Sequence, residues 1–172
     1  SSATRHLACA ALKFYYENVL KRRFSLKYPK KSSKLPVVLC KDEILKMIDS
    51  LRNPKHKLLL ELMYGSGLRV GEAVKIKIED FDISSRTLHI KNGKGSKDRI
   101  VNLSQKFIDD FIVFTRAKSF GYLFESAQMH RKHIHSRTAE KILKNALRKT
   151  NITKNAHPHT LRTSFATHLI EN

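Results

Sequence analysis

Tryptophan is absent from this 172-residue chain, and cysteine, proline and glycine are scarce at two, four and six residues. Cys9 and Cys40 alone make neither a disulfide framework nor a four-cysteine zinc site, which sets aside stapled secreted scaffolds and zinc ribbons. No apolar run approaches the roughly 18 residues of a membrane span, and the first residues do not read as a signal peptide. Acid is the other shortage: 15 Asp+Glu face 34 Lys+Arg, a net charge of +19. The 41% apolar content supports a real core, so a wholly disordered basic tail is set aside as well. What remains is expected to be a soluble, cytoplasmic domain with a polyanionic partner.

The charge is unevenly spread, with a net of +9 over residues 1–41, +3 over 42–103 and +7 over 104–172. A nearly balanced middle between basic ends suits a body that grips something from two sides. Nucleic acid is the expected polyanion, since Lys and Arg that neutralise phosphates release counterions. A basic surface kept for solubility, or for a ribosome-like setting, is the plainer alternative.

Residues 4–20 carry Leu7, Ala11, Phe14 and Tyr15 at helical spacing without Gly or Pro. The basic stretch that follows, broken by Pro29 and Pro36, has linker composition and predicts a domain boundary near residue 34. From Asp42 the pattern becomes compact. Ile44, Leu45, Ile48 and Leu51 predict one face of a helix that Asn53-Pro54 ends, and Leu58, Leu59, Leu62 and Met63 predict a second, stopped by Gly65 and Gly67. A short helix is expected at 70–74. Leu88 and Ile90, then Ile100 and Leu103, alternate around Gly-Lys-Gly and predict a two-stranded hairpin with a basic tip. Ser104 is placed to cap a helix with Phe107, Ile108, Phe111 and Phe114 inward. Ser136 or Thr138 opens another, with Ile142, Leu143, Ala146 and Leu147, and Pro158 starts a last one carrying Phe165, Ala166 and Leu169. The fold class is mainly α with a small antiparallel sheet.

Three segments carry candidate chemistry: residues 67–72 (GLRVGE), 93–99 (GKGSKDR) and 159–162 (HTLR). Singly, each also reads as ordinary charged surface. His159 and Arg162, three apart on a helix, face one spot near the helix N-terminus, where the dipole and free N–H groups favour an anion. An arginine there forks onto two phosphate oxygens as a lysine does not. Arg69 follows a Gly-Ser-Gly turn, and Glu72 one turn later is positioned to hold its guanidinium.

In their order along the chain, LMYGSGLRVGEAVKIKIEDFD, GKGSKDRIVNL and HPHTLRTSFATHLIEN resemble the tyrosine recombinase (phage integrase) family, most closely its Xer-type members. The resemblance covers nearly the whole chain. It implies the integrase catalytic-domain fold over residues 34–172, with residues 1–33 as the last helix of a core-binding domain and its linker. It further implies site-specific recombination of double-stranded DNA, by strand cleavage and rejoining through a 3′-phosphotyrosyl intermediate, with no metal or nucleotide cofactor. Arg69 and Arg162 match the arginines that bind the scissile phosphate. Lys94 matches the hairpin lysine that protonates the leaving 5′-oxygen, with Lys97 as a substitute. His159 matches the histidine paired with the second arginine, and Glu72 has a supporting role. The expected assembly is a nucleoid-associated tetramer on two DNA sites.

The family pattern continues with a further His or Trp and a nucleophilic Tyr. Tyr15, Tyr16, Tyr28, Tyr64 and Tyr122 all precede His159, and none matches the nucleophile. Residues 1–172 are therefore expected to bind DNA without cleaving it alone. A non-catalytic, integrase-like DNA-binding protein is the rival class, and an RNA- or ribosome-binding protein a third. His130, His133, His135 and His157 invite a metal site, but the flanking Arg131, Lys132 and Arg137 oppose a divalent cation. Tyr64 and His168 are expected to be structural.

Overall fold

The computed structural model describes residues 2–29, 35–91, 98–116, 118–129 and 131–171. The boundary expected at residue 34 and the hairpin tip, with Lys94 and Lys97, lie outside the described residues, as does His130. The chain forms two compact units, Ser1–Leu35 and Pro36–Asn172. No helix among the described residues is long and apolar enough to cross a membrane.

The first unit is helix α1 (Ser2–Phe14), prolonged by a π-helical turn over Tyr15–Val19. The chain after it returns along the helix, with Tyr16 stacked on Phe24 at 4.1 Å and His6 against Tyr28 at 4.7 Å. The helix expected over residues 4–20 is present, and Leu7 and Phe14 on it are 72% and 65% exposed.

The second unit is organised around helix α3 (Pro54–Gly65), which buries Leu58, Leu59, Leu60, Leu62 and Met63 and so is apolar nearly all round. Each such side chain contributes about 1.5–3 kcal/mol on burial. Helices α2 (Lys41–Asp49), α5 (Gln105–Thr115), α6 (Ser136–Lys149) and α7 (Pro158–Ile170) pack around it. Asn53-Pro54 opens α3 and does not end α2: Asn53 Oδ1 accepts from Lys55 N at 2.9 Å and Pro54 takes the first helical position, where its missing N–H costs nothing. On α2 the buried face is Ile44, Met47 and Ile48, at i, i+3 and i+4, and Leu45 is half-exposed.

A short helix, α4 (Val70–Ala73), leads through a single 3₁₀ turn at Ile78–Asp80 into an antiparallel sheet of β1 (Phe81–Asp82), β2 (Thr87–Ile90) and β3 (Arg99–Asn102) in that spatial order. The sheet has a third strand beyond the expected hairpin, because Phe81 pairs with Leu88 and its ring packs, tilted, 4.4 Å from that of Phe111 on α5. In the β2–β3 register Leu88 faces Val101 and Ile90 faces Arg99. The inward face of β3 is therefore Arg99 and Val101. Ile100, one of the apolar residues that predicted the hairpin, pairs with His89 on the outer face and is 59% exposed.

Ser104 caps α5 as expected, its Oγ accepting from Phe107 N. The cap of α6 is His135, whose Nδ1 accepts from Arg137 N at 3.1 Å, and not Ser136 or Thr138. On α7 the buried side chains are Pro158 and Leu161 with the polar Thr160, Ser164 and His168, while Ala166 and Leu169 face outward and Phe165 is only half-buried. Ser164 Oγ accepts from Leu39 N at 3.0 Å and donates to Thr160 O, and Tyr64 OH bonds His168 Nδ1 at 2.9 Å. Those bonds let Thr160, Ser164 and His168 occupy the interior, since a buried polar group is tolerated when it is hydrogen-bonded.

Candidate active site

The turn between α3 and α4 makes the site. After α3 the chain turns at Gly67, with φ at +56°, and its carbonyl accepts a short hydrogen bond from Arg162 Nη1. Arg162 lies on α7, which packs against α3, with Phe165 one turn on lying over Gly67. Arg69 follows two residues later as the N-cap of α4. Its backbone N–H donates to Glu72 Oε2 at 3.0 Å, the returning half of a capping box, and its Nη1 donates to Glu72 Oε1 at 2.8 Å.

Glu72 also receives a fork from β3. Arg99 Nη2 donates to Oε2 at 2.7 Å and Nη1 to Oε1 at 3.2 Å. The Glu72 side chain is 12% exposed. Burial alone would lift its pKa, but the Arg99 and Arg69 hydrogen bonds overcome it and hold the value at about 2 against an ordinary 4.5. The Arg162 pKa moves down, first from burial and then from the positive charges of Arg69 and Arg99, with Glu72 opposing. It remains charged. Two guanidinium groups thus share one carboxylate while Arg162, bonded to Gly67, adds a third positive charge, and the surplus suits an anion.

Arg69, Glu72 and Arg162, expected from sequence, come together here. His159 is exposed in the first turn of α7, three residues before Arg162, with its ring 6.4 Å from that of His157. Lys94 and Lys97 lie outside the described residues. Arg99 is the member that the sequence reading leaves out. The signal for it is the strand register, because the residue opposite buried Ile90 takes the inward face. Beside Arg69 and Glu72 runs a cleft of about 850 Å³, lined also by Lys75, His89 and Lys91.

Tyr64, His133, His135 and His168 have structural partners. Tyr64 holds His168, and burial lifts its phenol pKa. His133 bonds Ile134 O at 2.8 Å and stands edge-on to Tyr122, and His135 caps α6. Among the described residues no three His, Cys, Asp or Glu side chains cluster as metal ligands would.

The sequence profile of the phage integrase family matches residues 38–172. The chain is 36% identical over 171 residues to the tyrosine recombinase XerA of Pyrococcus horikoshii, covering 96% of this chain and 59% of that protein. It is 35% identical over 161 residues to a tyrosine recombinase of Thermosipho africanus, covering 90% of this chain and 54% of that one. It therefore spans less than two thirds of the length of these relatives. The crystal structure of a XerA recombinase superposes with a TM-score of 0.73 at 29% identity, over all of this chain and 63% of that one. A XerH site-specific recombinase bound to its difH substrate shares the fold, with a TM-score of 0.78 at 23% identity, over 99% of this chain and 55% of that one. Profile, relatives and fold agree over the helices and sheet that build the arginine cluster, and the chain belongs to the phage integrase family.

Proposed function

We propose that this chain carries the phosphate-binding half of a DNA strand-transfer site, and that the full-length protein is a site-specific tyrosine recombinase. The observation that carries this reading is Arg162 fixed to the Gly67 carbonyl beside Arg69, with Glu72 holding Arg69 from below. In-line transfer at phosphorus builds charge on the non-bridging oxygens, and fixed guanidinium groups answer it without reorganising. Family membership supports the same reading, as do the solved relatives, of which the XerH recombinase is bound to its difH substrate.

In this reading a tyrosine hydroxyl attacks the scissile phosphorus and releases its proton to a neighbouring base, with His159 as the candidate to assist. The bond to the 5′-oxygen breaks, and that oxygen takes a proton from Lys94, or from Lys97 in its place. Rejoining is the reverse, with a 5′-hydroxyl displacing the tyrosine, so the ester bond is stored and no external energy source is drawn on. Arg69 and Arg162 bind the non-bridging oxygens, and His159 assists proton transfer or phosphate binding beside Arg162. Residues 1–33 serve as the end of a core-binding domain and its linker, and 34–172 as catalytic domain. The acting form is a tetramer on two sites of double-stranded, nucleoid DNA.

The test uses the full-length protein with a nicked duplex chosen from a random pool by binding. A covalent protein–DNA adduct is expected from wild type, and none from Arg69→Ala or Arg162→Ala. Tight binding with no adduct in any variant would return the protein to the non-catalytic, DNA-binding class.

A further inference from the structure

We infer that Arg99 is a positioning residue that docks the β2–β3 hairpin onto Arg69 through Glu72, so that hairpin placement and Arg69 orientation are set together. This rests on the recombinase reading only for its catalytic consequence; the coupling itself stands on the geometry.

Glu72 has two oxygens, and each serves both arginines. Oε1 accepts from Arg69 Nη1 and Arg99 Nη1, at 2.8 and 3.2 Å, and Oε2 accepts from Arg69 N and Arg99 Nη2, at 3.0 and 2.7 Å. A carboxylate filled in this way cannot turn toward one partner without loosening the other. Arg99 opens β3, so it stands at the base of the hairpin leg returning from the segment with Lys94 and Lys97. The other leg has its own fastening, Lys91 Nζ to Asp80 Oδ1 at 2.6 Å, on a carboxylate whose bonds go to Lys91 and Lys77 and not to Arg69. The hairpin is thus tied at both feet, and among the described residues only the Arg99 foot reaches an arginine of the site.

The arrangement divides labour among three like charges. Arg99 spends its fork on Glu72, which leaves Arg69 one side-chain bond to the carboxylate and the rest of its donors for an anion. Without Arg99, Glu72 is a part-buried acid with one guanidinium partner, and it is free to swing onto Arg69 and close the face a phosphate would take. Burial then favours its protonated form more than it does now.

Two measurements decide the inference. In this chain, nitrogen-edited NMR follows the Arg69 Nε–Hε signal. Arg99→Gln should shift it, Arg99→Lys should restore it in part, and Lys91→Ala, which loosens the other foot, should leave it in place. A signal unmoved by Arg99→Gln, or moved as far by Lys91→Ala, overturns the coupling. In the full-length protein, Arg99→Gln should slow single-turnover strand cleavage about 100-fold, the usual scale for a misplaced catalytic group, with affinity for a mixed-sequence duplex unchanged. Its acid limb should move to higher pH, because Glu72 has lost the partner that keeps it ionised. Cleavage at the wild-type rate overturns the positioning role, and so do cleavage and affinity falling together, which makes Arg99 a DNA contact. Should Arg99→Gln fail to fold, Arg99→Met, which also removes the fork and the charge while leaving Glu72 in place, takes its part in both measurements with the same expectations. If wild type forms no adduct at all, the recombinase reading falls, and the Arg69 signal alone decides the coupling.

Discussion

The ring of Phe165 occupies the place where a side chain on Gly67 would begin: its Cδ1 lies 2.5 Å from the ideal Cβ position. Gly67 also has φ at +56°, a conformation that costs L-residues about 1–2 kcal/mol. Gly67→Ala should therefore destabilise the second unit by about 2–4 kcal/mol, strain and displacement together. Gly71, inside α4 with nothing within 4 Å of its Cβ position, is the control. Gly71→Ala should be neutral or gain up to about 1 kcal/mol. Urea unfolding of the two variants reads the contrast, and losses of similar size in both would contradict it.

Ser164 ties the segment ahead of α2 to α7. Its fully buried Oγ accepts the Leu39 N–H, itself buried, across 125 positions of sequence. Ser164→Ala removes the acceptor and strands the donor, at a cost of about 1–3 kcal/mol. Chemical denaturation measures it. A change near zero would mean that the Leu39 amide finds another acceptor at once.

Two glutamates should give pH dependences of opposite sign. Glu72 is depressed in the folded chain, so its stabilisation is full above its ordinary 4.5 and is lost as pH falls toward about 2. Glu61 is raised, first by burial and then by the neighbouring Asp110, with Lys106 and Lys57 opposing. A raised carboxyl stabilises the fold at low pH, and that contribution is lost as pH rises through its folded value. Glu61→Gln should therefore raise stability at neutral pH, and Glu72→Gln should flatten the acid limb. Urea midpoints across the acid range check both, and an unchanged limb in Glu72→Gln would contradict the first.

Binding to duplex DNA should weaken steeply with salt, given a net charge of +19. Each phosphate contact adds about 0.9 to the log–log slope, so Arg162→Ala should lower it by about 1 while the sequence preference of what remains is unchanged. Fluorescence anisotropy over a salt series reads the slope. A flat line for wild type would remove phosphate contact as the source of affinity.

The parts of this molecule that are legible in sequence are those set by local chemistry. Ser104 caps α5, Pro158 opens α7 and Gly67 turns the chain, each for a reason confined to a few residues. Faces that depend on partners are less legible. Alternation alone does not say which of Arg99 and Ile100 turns inward; the pairing of Ile90 with Arg99 decides it, and the waiting Glu72 gives a charged group reason to go in. Likewise α7 turns Thr160, Ser164 and His168 to the core and Leu169 away from it, because Leu39 and Tyr64 supply partners that no helical period reveals. Arg69 and Arg162 stand out by motif, whereas Arg99 emerges only from strand register.

The bond from Arg162 to Gly67 joins residues 95 positions apart. A chain leaving the ribosome delivers Arg69, Glu72 and Arg99 early and close together, but α7 only after α5 and α6 have emerged. On the proposed reading the phosphate seat has one wall until then. A polypeptide that ends before α7 lacks the second guanidinium, so the pair of arginines is complete only once α7 has docked on α3.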